Sequence, residues 1–467
     1  MKIPTYCKKL IPWYCAACLG IIMGACSDGG EDNSQLNADA GADLSVLVGK
    51  VVTLDGSGST DSKGNPFEFS WKFISKPVVS GAQLDDGKSE TPKFTPDVQG
   101  KYKIELTISN TSSKELDTVT VAVFDVIVVD GTYQNLFPGP NVGIRDFATA
   151  LGELYATCEF TEIGGIQAKK IARYNGSSWN TVGCGLEEGS AYDMIAYKGE
   201  LYVTGLFNEI GCIQANNIAR WNGTSWKTLE GGLTGGSEPF GHALAVYNDE
   251  LYVGGEFTKA GNINVSNIAK WNGTGWSAVG MIGSGSVREL QVYKEQLYAG
   301  GFFTIVDGAT IRNIAAYNGS NWTALGSLSE LELKRTGIVK QMVVYKEILY
   351  ISGDFSQNND DVSELITWNG SQFSDFGRAF THFQGNEIRE LTVVDGMLYI
   401  GGAFKNVVGS QANNILQWDG QRWGVMNEGI LGNVNAIESF NNKMYIGGDF
   451  NNAGGSAADN ISIWTKN

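Results

Sequence analysis

Glu250-Leu251-Tyr252-Val253-Gly254-Gly255-Glu256-Phe257, followed by Asn267-Ile268-Ala269-Lys270-Trp271-Asn272-Gly273-Thr274-Gly275-Trp276, is one copy of a unit that recurs seven times. Its apolar-Tyr pair returns as Leu154-Tyr155, Leu201-Tyr202, Leu297-Tyr298, Leu349-Tyr350, Leu398-Tyr399 and Met444-Tyr445, in steps of 46 to 52 residues. Five residues past each tyrosine stands a phenylalanine: Phe160, Phe207, Phe257, Phe303, Phe355, Phe404 and Phe450. A Gly-rich loop follows, then a strand ending in an aromatic at Tyr174, Trp221, Trp271, Tyr317, Trp368, Trp418 and Trp464. Asn-Gly comes next at Asn175, Asn222, Asn272, Asn318 and Asn369, and Asp419-Gly420 in the sixth copy. Such pairs allow the positive φ angles of a two-residue hairpin. An aromatic opens the strand beyond: Trp179, Trp226, Trp276, Trp322, Phe373 and Trp423. Four short strands per unit is the make-up of a propeller blade.

The seventh copy stops at Ile463-Trp464-Thr465-Lys466-Asn467, after its third strand. Asp130-Gly131-Thr132-Tyr133-Gln134-Asn135-Leu136 resembles the outer hairpin Asn222-Gly223-Thr224-Ser225-Trp226-Lys227-Thr228-Leu229. The spacing therefore predicts a seven-bladed β-propeller over 127–467, closed by the strand near Tyr133, with no open edge between first and last blades. The units resemble kelch-like and delta-sixty-type repeats, found in fungal cortical marker propellers and many bacterial surface proteins. That resemblance implies a fold and no particular function.

Residues 37–125 read as a separate β-sandwich. Alternating stretches at Val51-Val52-Thr53-Leu54, Phe67-Glu68-Phe69-Ser70-Trp71, Tyr102 to Ile108 and Thr118 to Val123 are separated by turn residues. Leu54-Asp55-Gly56-Ser57-Gly58-Ser59-Thr60-Asp61, Trp71, Phe94-Thr95-Pro96-Asp97 and Gly100-Lys101-Tyr102 resemble the PKD immunoglobulin-like domain. The resemblance implies a spacer or a modest adhesive module, with Trp71 buried between two sheets. Asp55 and Asp61 are candidate calcium ligands, since hard cations take clustered oxygens. The alternative is an Asx-type turn closed by each side chain.

The N-terminus reads as an address. Met1 to Lys9 is basic, and Leu10 to Gly24 is an apolar run too short to span a bilayer and suited to a signal peptide. Met23-Gly24-Ala25-Cys26 resembles the lipobox of bacterial lipoproteins, which implies a signal peptide over 1–25 and diacylation at Cys26. The polar stretch 26–36, beginning Ser27-Asp28-Gly29-Gly30-Glu31-Asp32, reads as a flexible acidic tether. It resembles the export signal of surface lipoproteins in Bacteroidetes. The expected localisation is the outer membrane, at the cell surface, held by lipid.

The formal charge of −16 argues against a nucleic-acid partner, whose phosphates it repels. Past Cys26 the cysteines are Cys158, Cys184 and Cys212, read as three small buried hydrophobes or as one disulfide plus a spare thiol. His242 and His382 are the only histidines, which leaves little for a His-metal site or a Ser-His-Asp triad. No cofactor is expected, calcium apart.

One periodic feature points to a site. Ten residues before each repeat tyrosine lie Arg145, Tyr192, His242, Arg288, Lys340, Arg389 and Asn435, near the start of the innermost strand. A ring of these at the central channel can receive an anion, such as a uronate or a carboxylate side chain. The alternative is blade-to-blade ion pairing, with Asp146, Glu289 and Glu390 beside Arg145, Arg288 and Arg389. Phe240 and the segment around His382 place aromatics on the same face. The expected function is non-catalytic recognition of a glycan or surface protein. A carbohydrate-active hydrolase or lyase, and a docking subunit of an outer-membrane complex, are the two alternatives.

Overall fold

The computed structural model describes residues 35–467 apart from 284, 326–337, 358–360, 377–386 and 408–409. Every regular element among them is a β-strand. No described helix is long and apolar enough to cross a membrane.

The sandwich has one sheet of four strands, in the order Leu44–Leu47, Lys114–Phe124, Gly100–Ser109 and Glu68–Ser75. Two short ladders, Leu36–Asn37 with Thr60–Asp61 and Val52–Thr53 with Lys93–Phe94, pack across it. Alternation along Gly100–Ser109 turns Tyr102, Ile104, Leu106 and Ile108 inward, each fully buried. Trp71 joins that core and donates its indole N–H to the Ser89 carbonyl at 3.0 Å. Tyr102 donates its hydroxyl to Val98 O, four residues upstream, at 2.8 Å, a corner contact seen in immunoglobulin-like sandwiches.

Seven four-stranded sheets follow, and blade 3 shows the design. Its strands Phe240–Tyr247, Glu250–Glu256, Ile268–Trp271 and Trp276–Ala278 pair antiparallel in that order, from the axis outward. Leu251 to Gly255 are all buried, because neighbouring blades cover both faces of the second strand. That explains why the strand reads as a continuous apolar run rather than an alternating one. Gly254 is required there: a Cβ would sit 2.4 Å from Val287 Cγ1 of blade 4.

The Asn-Gly turn is displaced by one residue from the expected loop. Gly273 holds a φ of +107° while Asn272 keeps an ordinary φ. Asn272 Oδ1 instead accepts the amides of Thr274 and Gly275, at 2.8 and 2.9 Å. The central pair is thus Gly-Thr, with glycine first, as in a type II′ turn. Turns with positive φ at both central residues lie between the first and second strands, as at Lys294-Glu295.

Blades lock to one another by repeated polar contacts. Trp226, Trp276 and Trp322 each donate an indole N–H to the preceding blade's outer turn, at 2.9 to 3.0 Å. Tyr197, Tyr247 and Tyr293 donate to carbonyls of the following blade's first hairpin, at 2.8 to 2.9 Å.

The ring closes as the spacing predicts. Gly131–Asn135 pairs with Ile461–Lys466, setting Tyr133 opposite Trp464 with ring centroids 4.6 Å apart. Blades 7 and 1 share a core that includes Ile144, Phe147, Tyr445 and Ile461. Just before this strand, Val126–Val128 pairs in parallel with Trp423–Val425 and adds a fifth strand to blade 6. The linker between sandwich and propeller therefore belongs to the propeller. Leu47 and Phe124 of the sandwich pack on the same blade.

Cys184 and Cys212 form a disulfide between the outer turn of blade 1 and a loop of blade 2, and Cys158 is a free thiol. The reading of three separate buried cysteines is corrected accordingly.

Candidate functional site at the channel mouth

In six of the seven blades the periodic residue falls on a break in the inner ladder. Pairing skips from Ala191 to Asp193, Gly241 to Ala243, Val287 to Glu289, Val339 to Gln341, Ile388 to Glu390 and Val434 to Ala436. Tyr192, His242, Arg288, Lys340, Arg389 and Asn435 are the unpaired extra residues. Arg145, in blade 1, immediately precedes its strand, Asp146–Ala150. A bulge re-aims the side chain it carries, which is how seven strands facing the axis present polar groups as a belt.

The belt has two unlike halves. Across blades 5 to 7 the groups satisfy each other. Glu387 takes Lys340 Nζ at 3.2 Å and Arg389 Nε at 3.0 Å. Arg389 also donates to Asn435 Oδ1 at 3.0 Å, and Asn435 Nδ2 donates to the Ile144 carbonyl at 3.0 Å. Lys340 and Arg389 flank Glu387 and hold its carboxyl below the usual range, against the opposing effect of burial.

Across blades 1 to 4 the groups stack instead. The Arg145 guanidinium lies 5.2 Å above the Tyr192 ring. Tyr192 is 5.6 Å from the His242 ring and 6.0 Å from Phe240. His242 Nδ1 is 2.9 Å from the Arg288 carbonyl. Burial and the Arg288 charge push the His242 pKa down to about 4, so the ring is neutral at pH 7. A neutral ring beside a carbonyl carries its proton on Nδ1, which leaves Nε2 as an acceptor. Arg145 and Arg288 form no ion pair among the described residues.

Beneath the belt lies a layer of carboxyls. Asp146, Asp193, Glu289 and Glu390 each follow a belt residue, and Glu438 lies deeper in blade 7. Burial pushes all five upward, Asp193 to about 7 and Asp146, Glu289 and Glu390 well above the carboxylate range. Charges from other blades add to the effect: Asp193 raises Glu390, and Glu390 raises Asp146. Asp193 accepts the Leu244 amide of blade 3 at 2.6 Å. Asp146 Oδ2 is buried without a hydrogen-bond partner. The expected pairing of each arginine with the acid after it is not what the structure holds. Bulge and ladder positions point apart, so the bases line the mouth and the acids the axis.

Residues 40–123 match a PKD domain family model. Residues 242–398 match that of the Rax2 C-terminal beta propeller domain. The solution structure of the PKD domain from the KIAA 1837 protein is similar at 27% identity, covering 22% of this chain and 93% of that one, with a TM-score of 0.17. The β-propeller domain of the Trilobed protease from Pyrococcus furiosus is similar at 11% identity, covering 73% and 96%, with a TM-score of 0.35. An α-L-arabinofuranosidase from Clostridium thermocellum is similar at 15% identity, covering 47% and 87%, with a TM-score of 0.25. No curated protein sequence matches the chain.

In the PKD domain, Asp55 and Asp61 serve separate turns. Asp55 Oδ1 accepts the Ser57 amide at 3.0 Å, and the Ser57 hydroxyl and amide together lower its pKa. Asp61 Oδ1 accepts Lys63 N at 2.8 Å and its Oδ2 accepts Asn110 Nδ2 at 3.3 Å. No group of three or more His, Cys, Asp or Glu among the described residues is placed to hold a metal ion. His382 and Cys26 lie outside the described residues. A cavity of about 550 Å³ lies between the PKD domain and blade 6, lined by Leu44, Lys101, Phe124, Phe376, Trp418 and Gln421 among others, and holds none of the belt residues.

A second periodic set went unread. Asn217, Asn267, Asn313, Asn414 and Asn460 stand ten residues past the repeat phenylalanines, each before an isoleucine. All five hold a φ near +60°. Asn267 accepts the Phe257 amide at 3.2 Å and donates to Ile282 O and Gly285 O at 2.7 and 2.8 Å. The recurring Asn-Ile pair was the available signal, and its role is to tie each blade to the loop entering the next.

Proposed function

We propose that this chain is a non-catalytic surface receptor. Cys26 is lipidated at the outer membrane, the PKD domain is a spacer, and the propeller mouth binds a glycan or surface protein. The observation that carries the reading is the open half of the belt: Arg145 and Arg288, in no salt bridge among the described residues, flanking Tyr192, Phe240 and His242. Guanidiniums outside salt bridges, beside aromatic rings, suit polar recognition.

A glycan array with the full chain in detergent, wild type against Arg145→Ala/Arg288→Ala, tests this. Saturable binding that the double variant loses while its unfolding midpoint is retained supports the receptor. Release of new reducing ends from a bound polysaccharide would replace it with the hydrolase or lyase reading.

A further inference from the structure

The mouth belt is chemically lopsided, and the lopsidedness says where a ligand goes and what it is. Blades 5 to 7 offer little, because Lys340, Arg389, Glu387 and Asn435 are already joined and run on to the Ile144 carbonyl. Any anion binding there must first break a formed pair. The crescent from blade 1 to blade 4 differs on three counts. It has a guanidinium at each end, Arg145 and Arg288, neither in an ion pair among the described residues. It has half-buried aromatic faces between them, Tyr192 and Phe240, with ring centroids 6.0 Å apart. It also has one fixed acceptor, His242 Nε2, because Nδ1–H is committed to the Arg288 carbonyl.

We propose, resting on the receptor reading above, that this crescent binds an oligouronate segment of an acidic polysaccharide. Successive sugar carboxylates pair with Arg145 and Arg288, sugar C–H faces lie on Tyr192 and Phe240, and a hydroxyl donates to His242 Nε2. Guanidinium and carboxylate match as two parallel hydrogen bonds, which gives both strength and orientation. The hydroxyl decides between ligand classes. An aspartate or glutamate side chain of a protein supplies only the carboxylate, so the donor to Nε2 must come from a second residue or the backbone. A uronate supplies both on one ring. Because the two guanidiniums sit in blades 1 and 4, one sugar residue engages only one of them, and affinity must rise with chain length. Desolvation favours the neutral form of Asp146, Glu289 and Glu390 beneath, which lessens the charge opposing the crescent.

Isothermal titration of the full chain in detergent, at pH 6, distinguishes the outcomes. The probes are a hexuronate trisaccharide, its monosaccharide, its carboxyl-reduced form, a sulfated trisaccharide and a triglutamate peptide. The expected result is saturable trisaccharide binding, at least about tenfold weaker for the monosaccharide and for the carboxyl-reduced form, and lost in Arg145→Ala/Arg288→Ala. Equal binding of the carboxyl-reduced form would overturn the uronate assignment and leave the receptor reading standing. Preference for the sulfated sugar or for triglutamate would overturn it likewise. Absence of binding to every probe, in a chain that binds some other glycan on the array, overturns the uronate assignment alone. Absence on the array as well overturns a glycan ligand for the receptor.

Discussion

Arg389 turns away from Glu390, its neighbour in sequence, and bonds to Glu387 at 3.0 Å instead. The bulge between Ile388 and Glu390 is the reason. Arg389 is looped out of the ladder, while Glu390 resumes pairing opposite Gly401 and is half-buried within electrostatic reach of Asp193 from across the ring. Four of the seven blades place an acid directly after the belt residue, Asp146, Asp193, Glu289 and Glu390, the last three of them across a bulge. In those blades one extra residue in the inner strand sets belt and carboxyl layers apart from adjacent positions.

The carboxyl layer makes stability depend on pH. A buried carboxyl whose folded-state pKa lies above its unfolded value, about 3.9 for Asp, favours the fold fully at low pH. That contribution falls as pH rises toward the folded value. For Asp193 the window closes near pH 7. His242, pushed down to about 4, acts the other way below pH 6.5, with one proton against five raised carboxyls. The unfolding midpoint should therefore fall between pH 5 and 7.5. Asp193→Asn/Glu390→Gln should flatten that slope and raise the midpoint at pH 7.5. A slope unchanged in the double variant would contradict the assignment.

Asn267→Ala should destabilise the protein by about 1–3 kcal/mol in urea titration. It strands the Phe257 amide and the Gly285 carbonyl and removes one of two donors to the Ile282 carbonyl, which keeps Ser266 Oγ. Asn267→Gly should lose the same bonds and relieve the cost of the φ of +62°, so it should be the milder change.

Tyr133→Ala should cost on the order of 3 kcal/mol, as aromatic-to-alanine changes in cores do. Tyr133 packs on Trp464 and donates to Met426 O at 3.2 Å, so its loss loosens the strand that closes the ring. Limited proteolysis should then cut first beside Gly131–Asn135.

Reduction of Cys184–Cys212, or Cys184→Ser, should lower stability by about 3–4 kcal/mol on the chain-entropy account for a 28-residue separation. Equal urea midpoints with and without reductant would contradict a formed disulfide.

The fold was legible because its signals repeat. Seven apolar-Tyr pairs at near-constant spacing define the blades, and the likeness of Gly131–Asn135 to an outer blade strand locates the closure. The belt positions were legible for the same reason, since ten residues before each tyrosine is a fixed place on an inner strand. What was not legible is what pairs with what. A bulge has no residue signature of its own at Tyr192 or Arg288, yet it decides that Arg389 meets Glu387 and not Glu390. The fifth strand of blade 6 was hidden because Val126-Ile127-Val128 has no counterpart in the other repeats. The disulfide was hidden because Cys184 and Cys212 lie 28 residues apart in different blades.

The division of the belt into a committed half and an open half is tested most directly by two single variants side by side. Affinity for the glycan that the wild type binds should be measured by titration in Arg145→Ala and in Arg389→Ala. Loss of about tenfold or more in Arg145→Ala, with no more than about a twofold change in Arg389→Ala, is the predicted result, a difference of about 1 kcal/mol. Equal losses in the two, or the larger loss in Arg389→Ala, would contradict it.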